Sequence, residues 1–327
     1  MYSKTRLTLL GIAFLFTHVH AQNQPTLKLV QTIPLIGVHG KFDHMAYDGH
    51  NQKIYLAAKL NNSIEVVDLK SNRIAHSIKE VSLPQGVLYL SRENMILVCG
   101  GGDGTLKGFD ATNYKIKFTL KLGEEADNIR YSAIRHKIYV AYGDGAIAEM
   151  DDHTFRKTAE IPFQAHPEAF QFDASSKKMW VNVPNKELIK VLNADNNTEI
   201  TSWKTPGHED NFPMTLIEKP HKLIVASRKN PVISILSNKT GKVLQTFSCD
   251  SDPDAMFYDE KTDRVFVSCG GGSLYILNQV SAPMVKKPII ILTRKGARTC
   301  LWVSELNILF VALPEAGGKV SEIRMYK

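Results

Sequence analysis

The chain has 327 residues, 43% hydrophobic and 22% charged, which excludes the disordered, collagenous and multi-span membrane classes. Its formal charge is +7, and Lys4 and Arg6 lie in a segment expected to be removed. The remaining charge of about +5 permits an acidic partner without requiring one.

Residues 1–21 read as a secretory signal peptide. Lys4 and Arg6 form a basic start, Leu7 to Phe16 an apolar stretch, and Val19-His20-Ala21 a cleavage region before Gln22. The apolar stretch is too short to span a bilayer, and no cysteine follows it for lipid anchoring. The mature chain, 22–327, is therefore expected in the periplasm or outside the cell, as one domain, a monomer, with no membrane span. Its four cysteines, Cys99, Cys249, Cys269 and Cys300, show no CxxC pair and no zinc spacing. At least three lie in apolar strand patterns, so buried free thiols are expected.

Residues 27–35 alternate as a strand. A repeat then begins. Lys53-Ile54-Tyr55-Leu56 recurs as Met95-Ile96-Leu97-Val98, Lys137-Ile138-Tyr139-Val140 and Lys178-Met179-Trp180-Val181. It continues as Lys222-Leu223-Ile224-Val225, Arg264-Val265-Phe266-Val267 and Ile308-Leu309-Phe310-Val311. Successive copies are 42, 42, 41, 44, 42 and 44 residues apart. A second run follows each, such as Ile64-Glu65-Val66-Val67-Asp68 or Ile233-Ser234-Ile235-Leu236-Ser237, weakest at 320–324. Most end in Asp, Asn or Ser, whose side chains bond the local backbone in turns. An outer run, such as 156–163 or 242–247, and a short preceding strand, such as 44–48 or 255–259, complete each repeat.

Four short strands every 41–44 residues, with no helical period, predict an all-β, seven-bladed β-propeller. One blade cannot bury both its faces, so blades must pack around an axis. The seventh repeat lacks a fourth strand at Lys327, and residues 27–35 resemble the outer runs. The N-terminal strand is expected to close the last blade and hide its edge.

The repeated Lys-Ile-Tyr-Val-Ala (137–141) and its variants, each followed by an Ile-x-Val-Val-Asp type run, resemble the YVTN-repeat β-propellers, the YncE-like exported bacterial proteins. Blade two departs from the motif at Cys99-Gly100-Gly101-Gly102. The resemblance implies a seven-bladed propeller outside the cytoplasm. It does not imply one activity, since the family includes cell-surface proteins and a periplasmic protein that binds single-stranded DNA.

Ten residues before each repeated strand, one column reads Asp43, Gln85, Asp127, Glu168, Phe212, Asp254, Arg298. The next reads His44, Gly86, Asn128, Ala169, Pro213, Ala255, Thr299. Both begin the innermost strands and should converge at one mouth of the central channel. The candidate ligand-binding ring is Asp43, His44, Gln85, Asp127, Asn128, His166, Glu168, Asn211, Asp254 and Arg298. Such a ring would also serve simply to solvate a water-filled mouth. His208-Glu209-Asp210-Asn211 is a second polar cluster expected on the same face, and Tyr131, Tyr258 and Trp302 are expected to pack blades.

Other motifs carry less. Gly100 to Gly104 lacks a following Gly-Lys-Ser/Thr and opens a strand, so it reads as a hairpin turn, as do Gly143-Asp144-Gly145 and Gly270 to Gly272. Lys286, Lys287, Arg294, Lys295 and Arg298 form a basic stretch near Trp302, suited to a nucleic-acid backbone or simply to solvent. The expected function is a non-enzymatic ligand-binding or interaction scaffold. Its ligand would be a peptide, glycan, small molecule or single-stranded nucleic acid. The alternative is a lactonase-like metal-dependent hydrolase. Oxygen donors of Asp43, Asn128, Glu168 and Asp254 would hold Ca²⁺, and Asp43 or His44 would act as base. A copper-site reading lacks the required histidine cluster.

Overall fold

The computed structural model describes residues 27–327, apart from 144, 174, 176 and 206–208. The expected signal peptide, His208 and Asp144 lie outside the described residues.

Seven antiparallel sheets of four strands each form the chain. In blades one to six the strands run outward in sequence order. The inner strands are Met45–Asp48, Pro84–Leu90, Ala126–Ser132, Phe170–Asp173, Asn211–Ile217 and Pro253–Asp259, with Thr299–Val303 in blade seven. The repeated motif forms every second strand, from Lys53–Ala58 to Ile308–Leu313. Among the described residues the only helical pieces are the single 3-10 turns Lys59–Asn61 and Pro184–Lys186.

The closure is as expected. Leu29–Leu35 is the outer strand of blade seven and pairs antiparallel with Ser321–Tyr326, from Leu29 opposite Tyr326 to Leu35 opposite Ser321. Ile33 and Leu35 are fully buried among Ile54, Leu56, Phe310 and Ile323, between blades seven and one. Each such side chain stabilises the closure by about 1.5–3 kcal/mol.

The strand gradient follows from where water can reach. Second strands are buried nearly throughout, as in Met95–Gly100, because sheets cover both faces. Outer strands such as Ile116–Lys121 are largely exposed. Between blades the faces interdigitate; Tyr55 and Val66 of blade one pack with Val87, Ile96 and Phe109 of blade two. The Asp residues ending third strands serve the turns. Asp68 Oδ1 accepts the amides of Lys70 and Ser71, both at 2.8 Å, and Asp110 and Asp151 repeat the device. All four cysteines are free thiols; Cys99, Cys269 and Cys300 are buried and Cys249 is half-buried.

One irregularity shapes the channel. The inner strands of blades two, three, five and six shift register at their mouth ends: Pro84/Val87, Ala126/Ile129, Asn211/Met214 and Pro253/Ala255. Such bulges re-aim side chains. In blades three, five and six they accompany two adjacent residues that both reach the mouth.

Candidate functional site at the channel mouth

Both columns converge. All seven residues of the first, and six of the second, line a single central cavity of about 600 Å³. Gly86 is the exception in the second column. Its Cβ would stand 2.1 Å from the Asp127 carbonyl oxygen, so blade two can approach blade three only with glycine there.

The mouth divides by charge. On the side of blades five to seven, Arg298 Nε lies 3.0 Å from Asp254 Oδ2, and its Nη1 lies 3.1 Å from Asp252 Oδ1. Arg228 donates to Asp254 Oδ1, and its Nε lies 3.1 Å from Asp252 Oδ1. The Arg228 guanidinium also covers the Phe212 ring at 3.5 Å, which gives the one aromatic in the first column a function. Asp43 links this side to blade one. Its carboxylate lies 2.7 Å from His44 Nδ1, 3.7 Å from Lys59 Nζ and 3.9 Å from Arg298 Nη2. Lys59 donates to Gln85 Oε1, and Gln85 Nε2 donates to Glu125 Oε1 at 3.2 Å. Burial disfavours the Asp43 carboxylate, but His44, Lys59 and Arg298 together outweigh it and hold its pKa at about 2.

Blades three and four form the opposite side. Asp127, His166 and Glu168 place their ligand-capable atoms within 4.8 Å of one another, and Asp43, His44 and Asp127 form a second such group. The His166 ring donates from Nδ1 to the Gly143 carbonyl at 2.6 Å and turns Nε2 toward Asp127 Oδ2 at 3.6 Å. Burial pushes the Glu168 carboxyl up to about 8; Asp127 adds to the rise, and His166 and Arg228 only partly oppose it. Burial works against the His166 imidazolium, yet Asp127, Glu168 and the Gly143 carbonyl raise it to about 9. Both groups thus hold their protons more tightly than they would in water.

Asn211 does not line the channel. It is fully buried, and its Nδ2 donates to Asn182 Oδ1 at 2.8 Å, joining blades four and five. Of the four oxygen donors expected to hold Ca²⁺, Asp254 has both oxygens engaged by Arg228 and Arg298. Asp43 and Glu168 fall in different ligand-capable groups. Tyr258 lines the channel while donating to Asp263 at 3.2 Å, and Tyr131 is exposed and donates to Asp152 at 2.8 Å. Trp302 packs on Phe266 with ring centroids 4.8 Å apart, as expected. In the basic stretch, Arg294 is taken by the Pro314 and Val320 carbonyls and by Glu322.

Reading the first two columns alone misses several lining residues. Arg130 is the most consequential. Its column reads Ala46, Leu88, Arg130, Gln171, Thr215, Phe257, Leu301, and all seven line the cavity. A lone cation among six uncharged residues was the available signal. Arg130 Nη1 donates to the Ile129 carbonyl at 2.8 Å, and no ion pair joins it to a described carboxylate. Burial lowers its pKa, with Asp127 as the principal opposing charge. Lys59 and Arg228 stand six residues after the start of the second strand. Glycine or proline fills that column in the other five blades: Gly101, Gly143, Pro184, Gly270 and Pro314.

The fold and this lining define a seven-bladed β-propeller with a charged, partitioned channel mouth. No protein-family model and no curated protein sequence matches the chain. Solved structures share its architecture. A chain of the Kuenenia stuttgartiensis hydrazine synthase is 14% identical with a TM-score of 0.70, covering 85% of this chain and 95% of that one. A chain of a mitotic checkpoint complex is 11% identical with a TM-score of 0.75, covering 99% and 98% respectively. The likeness is one of fold.

Proposed function

We propose that this chain is an exported YVTN-type propeller that binds a small anionic ligand in its central channel and serves as a binding or interaction scaffold. The observation that carries this reading is a guanidinium, Arg130, lining a 600 Å³ cavity with no described carboxylate in ion-pair contact. A half-buried guanidinium opposed by Asp127 without a direct ion pair is costly, and a ligand carboxylate or oxyanion would relieve that cost. The other channel arginines are already neutralised by Asp252 and Asp254. The cavity accepts a small molecule more readily than a folded partner. Export rests on the N-terminal 21 residues, and the mass of the mature protein checks it. Among the described residues no helix is long and apolar enough to cross a membrane.

The binding test is isothermal titration of citrate, sulfate and phosphate into metal-free full-length protein and into Arg130→Gln. At least one anion should bind the wild type, and the variant should lose about tenfold or more in affinity. Equal binding by both proteins, or none by the wild type, would refute the reading. The hydrolase alternative draws support from Glu168, whose raised pKa suits a general acid. Lactone turnover abolished by Glu168→Gln is its test.

A further inference from the structure

We infer that Asp127, His166 and Glu168 form a binding site for a first-row transition metal ion of the zinc or manganese type. The inference is independent of the anion reading and of any hydrolytic activity. Three observations converge on it.

The first is spacing. The three ligand atoms lie within 4.8 Å of one another. Ligand atoms sharing one ion at metal distances of 2.0–2.2 Å are separated by roughly 3–3.5 Å. Small side-chain rotations therefore close the cluster, with no movement of the blades.

The second is the setting of the histidine. Its Nδ1 donates to a backbone carbonyl, Gly143, at 2.6 Å, which leaves Nε2 as the ligating atom. This is the outer-shell arrangement that fixes tautomer and ring orientation in metal sites. The carbonyl belongs to the turn of blade three, whereas His166 lies in the loop entering blade four, so two blades hold the ring in place. Gly143 is itself fixed, its amide donating to the Glu124 and Glu125 carbonyls at 3.0 Å.

The third is an unsatisfied buried oxygen. Asn128, next to Asp127 on the bulge, is 4% exposed and lines the same cavity. Its Oδ1 is buried and accepts no hydrogen bond from a described residue. Buried oxygens are normally satisfied, and this one lies one residue from Asp127 in the cavity that Asp127 and Glu168 line. His44 belongs to the second ligand-capable group with Asp127 and can supply a further imidazole from blade one.

An imidazole with two carboxylates selects transition metals over calcium, which prefers six to eight oxygens. The donor set thus differs from the all-oxygen Ca²⁺ site expected from the sequence.

The test uses full-length protein freed of metal by chelation. Zn²⁺, Mn²⁺ and Co²⁺ are titrated calorimetrically into the wild type, His166→Ala, Glu168→Gln and a distant control, Arg294→Gln. Circular dichroism of each metal-free variant confirms that it remains folded. The wild type and Arg294→Gln should bind one equivalent, with Co²⁺ giving visible d–d absorption. His166→Ala and Glu168→Gln should lose about 10–100-fold in affinity. If a ligand variant unfolds, His166→Gln and Asp127→Asn replace it. Absence of binding by the wild type overturns the inference, as does binding that the ligand variants leave unchanged. Anion binding through Arg130 is measured without metal, so either reading can fail alone.

Discussion

Replacing Gly86 with alanine should loosen the contact between blades two and three at the mouth. The added Cβ would lie 2.1 Å from the Asp127 carbonyl oxygen, 3.2 Å from its carbon and 3.1 Å from Ile129 Cγ2. A relaxed carbon–oxygen contact needs about 3.3 Å, so one strand must withdraw by roughly 1 Å. The nearest partner is backbone in a bulged inner strand, not the free end of a side chain, so the strain cannot be relieved by rotation. The position itself tolerates a side chain, since Ala169 and Ala255 occupy it in blades four and six. The cost therefore comes from the approach of Asp127. Overpacking of this kind costs about 1–3 kcal/mol. At about 2–4 °C per kcal/mol, that lowers the melting temperature by roughly 2–12 °C. Urea denaturation should show a reduced midpoint with an unchanged slope, because no additional surface is exposed on unfolding. Displacement of Asp127 should also weaken Zn²⁺ binding. Stability within about 0.5 kcal/mol of wild type would refute the close approach.

Other outcomes test other parts of the fold. Ile33→Ala removes a fully buried anchor of the closing strand and should cost about 2–5 kcal/mol by chemical denaturation; a cost below 1 kcal/mol would mean the seventh blade does not depend on it. Asp152 accepts from Tyr131 at 2.8 Å and contacts His136 at 3.3 Å and Arg92 at 3.4 Å. Burial opposes its ionisation, but these partners prevail and hold its pKa below the ordinary carboxylate value. Such a group stabilises the fold above the unfolded pKa of about 3.9 and ceases to do so as pH falls through the folded value. Asp152→Asn should thus be less stable than wild type at pH 7, with the gap closing below about pH 4; a gap constant from pH 7 to 3 in thermal melts contradicts the assignment. In a timed reaction with a disulfide reagent, Cys249 should label first. Burial pushes the Cys300 thiol up to about 12 and keeps Cys99 well above its usual value, so both should react only after denaturation. Rapid labelling of Cys300 in the native protein would contradict its burial.

The blades, their order and their closure were legible in the sequence because each depends on local rules. Strand alternation, turn-forming Asp and Asn residues and a fixed repeat length act within about 44 residues, and the missing seventh outer strand is a matter of counting. The convergence of two columns on one mouth follows from the same symmetry. Tertiary structure decided which of those residues touch. Asp127, His166 and Glu168 come together because a bulge turns Asp127 while a turn of blade three holds the His166 ring. Asp254 is withdrawn from any ligand set by Arg228, which stands in a different repeat column, and Asn211 turns between blades to meet Asn182. Arg130, Lys59 and Arg228 carry no periodic signal, because a charge in one or two of seven copies breaks the repeat instead of forming it. Their meaning lies in distances of a few ångströms across the channel between residues up to 255 positions apart, such as Asp43 and Arg298. No periodicity along the chain encodes such distances; they are set by how seven twisted sheets close around an axis.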